Sequence, residues 1–173
     1  MPLAEPYDHL DLDTDQLRAY FALMDSAALL RQRVEQQLRQ AADLTYVQFN
    51  VLARLGLDSP TGRLRMTELA DEVVYSRSGL TYQVTQMEDA GLLGRSPSPD
   101  DDRGVTVTIT DVGRDLLARA IPGHVELLRQ QLFATLDSTE VHSLATMLEP
   151  VLAHMRASPP RSATPRRRAR PKP

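Results

Sequence analysis

Apolar residues recur every three or four positions from Leu17 to Ala41: Leu17, Tyr20, Phe21, Met24, Ala27, Ala28, Val34, Leu38 and Ala41, with Arg31 on the same stripe. That period predicts one long amphipathic helix from about Asp15, with Thr14 as its N-cap. A stripe of this length needs a partner to cover it. A second helix starts at Thr45-Tyr46-Val47-Gln48, a capping box, with Leu44 and Phe49 at the spacing of a hydrophobic staple. Val47, Val51, Leu52 and Leu55 continue its apolar face, and Gly56 is its expected C′ residue. Asp58 to Gly62 reads as a turn.

Two short helices follow. Thr67 caps the first, with Leu69, Ala70 and Val73 inward. Ser76 caps the second, whose Leu80, Val84 and Met87 fall at i, i+4 and i+7, and Gly91 stops it. Such a pair, a few residues apart, has the pattern of a helix-turn-helix. The period then changes to two: Val105-Thr106-Val107-Thr108-Ile109 predicts a half-buried strand, and Pro97 to Asp102 a polar turn before it. Together with Leu92-Leu93, these form a β-hairpin directly after the fourth helix. Thr110 caps a fifth helix through Leu116, Leu117, Ile121, Leu128 and Leu132, which Pro122-Gly123 is expected to kink or split. Ser138 caps a sixth, with Val141, Leu144, Leu148, Val151, Leu152 and Met155 on its stripe and Pro150 as a bend.

The two ends differ from this core. Residues 1–13 read as an arm. Asp11, Asp13 and Asp15 imitate the start of a calcium loop, but Gln16 and Ala22 stand where glycine and glutamate are needed, which argues against it. Residues 158–173 are rich in Pro, Ser, Ala, Thr and Arg and predict a disordered basic tail.

Composition narrows the chemistry. The chain of 173 residues carries a net charge of −3 and no cysteine, so disulfides, thiolate metal sites and thiol redox sensing are excluded. His9, His124, His142 and His154 are scattered without ligand spacing, and no metal or other cofactor is expected. No apolar run approaches the ~20 residues of a membrane helix. The N-terminus lacks a secretory pattern, which predicts a cytoplasmic protein. Arg161, Arg166, Arg167, Arg168, Arg170 and Lys172 concentrate positive charge in the tail, so the body is more acidic than the whole. Any nucleic-acid footprint must then be a local patch.

The fourth helix supplies such a patch. Opposite its apolar residues lie Ser76, Arg77, Ser78, Thr81, Tyr82, Thr85 and Gln86, and no acid occurs from Ser76 to Met87. Short polar side chains suit base edges and phosphates, where a carboxylate would be repelled. An ordinary solvated helix more often carries long Glu/Lys pairs. In the hairpin, Arg95 stands at the base and Arg103 just past the tip, in reach of a minor groove or backbone. Asp101 is expected to pair with Arg103 and orient it.

This order resembles the multiple-antibiotic-resistance regulator (MarR) family. The matching stretches are Leu44 to Leu52, Met66 to Ala70, Ser76 to Glu88, Gly91 to Arg95, Asp101-Asp102-Arg103 and Val107 to Gly113. The family's aspartate-x-arginine of the wing and its threonine-x-x-glycine after it both occur; Asp102 departs, standing where the family often has a second arginine. The resemblance spans roughly residues 14–156. It implies a mainly α fold with a small β-hairpin wing, a winged helix-turn-helix core flanked by long dimerisation helices. The expected division is an arm (1–13), a dimerisation helix (14–44), the DNA-binding domain (45–110), further dimerisation helices (111–157) and the tail (158–173). It further implies a homodimer on double-stranded DNA, a near-palindromic operator about 10 base pairs between half-site centres, and a small lipophilic or phenolic effector. Tyr20, Phe21, Met24, Phe49 and Leu52 are candidate pocket walls, although plain core is the better reading of each.

Two other classes compete with this reading. A winged helix can serve as a protein-interaction module, which the acidic body favours and the acid-free fourth helix opposes. An enzyme finds no support in the sequence: no nucleophile with a base, paired catalytic carboxylates or phosphate-cradling glycine loop occurs. The tail can add sequence-independent DNA affinity or simply solubility.

Overall fold

A computed structural model of the chain describes residues 12–73, 76–98 and 101–157, with Arg77, Asp101, Asp102 and Arg103 described by backbone alone. The arm before Leu12, the calcium-like Asp11 and the basic tail lie outside the described residues. The elements run α1 (Thr14–Ala42), α2 (Tyr46–Ala53), β1 (Arg63–Arg65), α3 (Met66–Val73), α4 (Arg77–Asp89), β2 (Leu93–Ser98), β3 (Asp101–Ile109), α5 (Asp111–Leu128) and α6 (Ser138–Ala157). This is the expected class: mainly helical, with a small antiparallel wing. Among the described residues no helix is long and apolar enough to cross a membrane.

One core joins the winged domain to the long helices. Val34 and Leu38 of α1 meet Leu52 of α2, Leu55, Leu69 of α3, Leu80, Val84 and Met87 of α4, Val107 of β3 and Leu117 of α5, all buried. The three inward residues of α4 lose all solvent contact, so its opposite face is fixed outward. Phe49 and Leu52 belong to this core. Arg31, the charge on the α1 stripe, lies 5.2 Å from the centre of the Tyr46 ring, a cation–π contact between α1 and α2.

Three helix starts differ from expectation for one reason. Asp13, not Thr14, caps α1: its carboxylate accepts from the Gln16 N–H at 2.8 Å, and Gln16 accepts from the Asp13 N–H at 2.9 Å. Asp137, not Ser138, accepts from the Thr139 and Glu140 N–H groups, and Glu140 accepts from the Asp137 N–H. At α3 the helix starts at Met66, ahead of Thr67, because Glu68 accepts from the Arg65 N–H at 2.9 Å. In each case a long polar side chain three residues on reaches back and fixes the boundary. Thr45, Ser76 and Thr110 cap α2, α4 and α5 as expected.

Gly56 does not end α2. The chain passes from α2 into a wide helical turn over Arg54–Asp58, and Gly56 there admits Leu117 of α5, which would stand 2.7 Å from a Cβ. Pro122 does not split α5, which runs unbroken from Asp111 to Leu128; Pro150 likewise lies inside α6. Gly91, at φ 73°, ends α4: its N–H donates to Glu88 and that of Leu92 to Met87. That pairing requires the left-handed conformation glycine adopts freely.

The sheet has order β1-β3-β2. β1 is additional to the expected hairpin: three residues with one apolar position, pairing Arg63 with Thr108 and Arg65 with Thr106. Pro97, Ser98, Asp101 and Asp102, expected in the wing turn, lie on strands instead, since β2 extends to Ser98 and β3 begins at Asp101. Pro97 fits because β2 is an edge strand. α6 stands apart from all this, burying none of its residues.

Candidate nucleic-acid interface

Ser76 opens the site. Its side chain accepts from the Gly79 N–H at 3.2 Å, so its hydroxyl hydrogen remains for an outside acceptor at the helix N-terminus. Ser78, Thr81, Tyr82 and Gln86 are exposed along the outer face of α4, and Thr85 is half-buried. Tyr82 is 63% exposed, far more than an ordinary folded tyrosine needs to be. Arg77 occupies the first turn of the same helix. α4 packs against β2, so the end of α4 and the base of the wing adjoin. Arg103 and Asp101 lie on β3, but the expected Asp101–Arg103 pair involves side chains outside the described part.

Arg95 is bound to α4. Its Nε donates to Glu88 Oε2 at 2.6 Å, a terminal guanidinium nitrogen pairs with the same oxygen, and its backbone N–H donates to Glu88 Oε1 at 3.2 Å. The other terminal nitrogen donates to the Thr85 hydroxyl at 3.3 Å, which itself donates to the Thr81 carbonyl at 3.0 Å. Hydrogen bonding from Arg95 holds the Glu88 carboxyl below the usual glutamate range, against a smaller opposing effect of burial. Glu88 was not among the expected site residues. Its signal in the sequence was the first acid after the acid-free run from Ser76 to Met87, seven residues before an arginine and across a helix-ending glycine.

His124 of α5 lies 4.6 Å from Phe49 of α2, ring centre to ring centre. Its Nδ1 is shielded from solvent without a hydrogen-bond partner. Burial pushes its pKa below the ordinary histidine value. The unfolded chain therefore binds the extra proton first, and stability is full above the ordinary histidine value. It falls as pH drops below that value toward the depressed folded one. Thermal melts between pH 8 and 5 are expected to show this loss for the wild type and a smaller one for His124→Gln; equal profiles would assign it elsewhere.

A helix-turn-helix whose second helix has an outer face free of acids from Ser76 to Met87, with an antiparallel wing beside it, defines a winged-helix DNA-binding protein. The MarR family profile matches residues 44–105, from the second helix into the wing. The chain is 32% identical to Sco3205 of Streptomyces coelicolor, a MarR family transcriptional regulator whose structure was solved in complex with DNA. That likeness covers 86% of this chain and 91% of the other at a TM-score of 0.78. It is 26% identical to the regulator PecS of Dickeya dadantii over 84% of this chain and 89% of PecS. With the repressor IacR of Pseudomonas putida it shares 28% identity, over 89% of this chain and 92% of IacR. The chain belongs to the MarR family of DNA-binding transcriptional regulators, a family of regulators and not of enzymes.

Proposed function

We propose that the protein is a homodimeric repressor that reads a near-palindromic operator, with α4 in the major groove and the wing against the flanking minor groove. The observation that carries this is the outer face of α4. Five side chains, those of Ser76, Ser78, Thr81, Tyr82 and Gln86, lie exposed on a helix anchored by three fully buried residues, without a carboxylate among them. Ser76, Arg77, Ser78, Thr81, Tyr82 and Gln86 contact bases and phosphates; Arg103, oriented by Asp101, is the wing's reader. Thr85 and Arg95 belong to this interface where its two parts meet. A twofold pair presents α4 to successive major grooves, about one helical turn apart.

Repression fits the likeness to IacR. A small lipophilic or phenolic effector fits the half-exposed Tyr20, Phe21 and Met24 of α1. It would act by binding the non-DNA-fitting state more tightly than the fitting one. The proposed units are the arm, residues 14–44, the DNA-binding domain 45–110, residues 111–157 and the tail.

Fluorescence anisotropy on DNA from upstream of the gene tests the reading. Arg77→Glu and Arg103→Glu are each expected to weaken binding roughly tenfold or more and to lower its salt dependence. Wild-type affinity in both would show that α4 and the wing are not the readers.

A further inference from the structure

We propose that Glu88 and Arg95 form a positioning brace that sets the angle of the wing on α4, so that Arg95 serves the interface by holding its two halves together and not by contacting phosphate. The proposal rests on the reading of α4 and the wing as the DNA-binding surface, and deepens it.

The geometry carries it. Arg95 is the third residue of β2, and Glu88 is the penultimate residue of α4. Between them the chain turns at Gly91, so a side-chain link across the turn fixes what the backbone alone leaves to a few torsions. Both Glu88 oxygens are used, one by the backbone N–H of Arg95 and one by its guanidinium. The guanidinium has a further hold on Thr85, one turn back along α4. A planar group with several donors, anchored at two levels of one helix, resists rotation as a single point charge does not. Both partners are only partly exposed, at 32% and 30% of their side-chain surface, so the pair is not the freely solvated kind that contributes little.

Electrostatics gives the brace its second property. The positive charge of Arg95 is matched by a carboxylate in direct contact, so the pair offers a phosphate no net attraction. Glu88 is itself an acid at the edge of a surface meant for a polyanion. By charge alone it should hinder binding, and its presence there has a use only if the position of the wing matters more.

This opposition of sign makes the test decisive. Anisotropy titrations at several salt concentrations would use the full-length protein and operator DNA with Glu88→Gln, Arg95→Gln and the double variant. Hydroxyl-radical footprints and thermal melts of each would accompany them. Glu88→Gln is expected to bind roughly tenfold more weakly although a negative charge has been removed. Arg95→Gln should lose a similar factor with the slope of log K against log salt unchanged, and the double variant should be no weaker than either single one. Protection is expected to fade at the flanks, where the wing docks, and to persist at the half-site centres; general unfolding would erase both and lower the melting temperature sharply. Arg95→Lys should recover part of the loss, since it keeps the charge pair without the fork.

The brace is overturned if Glu88→Gln binds as well as or better than wild type. It is equally overturned if Arg95→Gln lowers the salt slope by about one per protomer, the mark of a phosphate contact. Additive losses, or losses explained by unfolding, overturn it too. Absence of DNA binding by the wild-type protein would instead remove the underlying reading of α4.

Discussion

The double variant Leu148→Asp/Val151→Asp is expected to be monomeric at micromolar concentration and to lose operator binding, while keeping a folded winged domain. Met147, Leu148, Val151, Leu152 and Met155 of α6 are between 36% and 64% exposed, and α6 buries nothing. α1 adds a second uncovered run, with Tyr20, Phe21 and Met24 each about half exposed. Full burial of such a side chain stabilises by about 1.5–3 kcal/mol, so a patch of this size left in water is costly for a solitary chain. In a twofold pair every residue of the interface occurs twice, and each variant chain brings two aspartates into it. An unpaired carboxylate has no good answer to burial there and separates the chains. The core of the winged domain, from Leu38 to Leu117, makes no use of α6 and should survive. A monomer then has one α4 for two half-sites and loses the gain of linked binding, roughly 100-fold or more in affinity. Sedimentation velocity reads the first effect, anisotropy the second and circular dichroism the third. A variant that remains dimeric would move the interface to another surface.

The core elements were legible because their signals are local and repeated. Leu80, Val84 and Met87 sit at helical spacing with no competing apolar face, and all three are fully buried. Thr45 with Gln48, and Ser76 and Thr110 as caps, needed only short-range chemistry. What escaped depends on partners distant in sequence. β1 has one apolar residue in three and exists because β3 offers it hydrogen bonds from more than forty residues away. Gly56 looked like a helix end, but the approach of Leu117 gives it another task. Asp13 and Asp137 displaced the expected Thr14 and Ser138 because a reciprocal pair of hydrogen bonds outweighs a hydroxyl acting alone. On the interface, the sequence marked α4 by an absence of acids, and so passed over the one acid whose contact with Arg95 organises the surface. Whether an arginine is free for phosphate or already engaged is a matter of three-dimensional neighbours.

Gly113→Ala is expected to lower the melting temperature by roughly 5–10 °C, while Gly123→Ala leaves it unchanged or raises it slightly, although both glycines lie in α5. Helix propensity favours alanine at both sites by up to about 1 kcal/mol. The neighbours decide the outcome. At Gly113 a Cβ would overlap the backbone carbonyl oxygen of Leu92 and stand 3.0 Å from Ile109 Cγ1. That carbonyl cannot swing aside cheaply. It accepts from the Thr110 N–H at 3.1 Å, the Thr110 hydroxyl donates to the Gly91 carbonyl at 2.7 Å, and the same hydroxyl accepts from the Gly113 N–H at 3.1 Å. These bonds join the start of α5 to the glycine that ends α4, so relief of the overlap must loosen that joint. Crowding of this kind costs about 1–3 kcal/mol and more where backbone must move, which outweighs the propensity gain. At Gly123 the nearest atom is the end of the Gln37 side chain, 2.6 Å from the added carbon, with rotamers available that take it away. Because the joint at Gly113 reaches the end of α4 through Gly91, operator affinity should fall with stability in Gly113→Ala and stay level in Gly123→Ala. Equal melting temperatures for wild type and Gly113→Ala would show that α5 can shift from Leu92 freely, and that the end of α4 is not held by this joint.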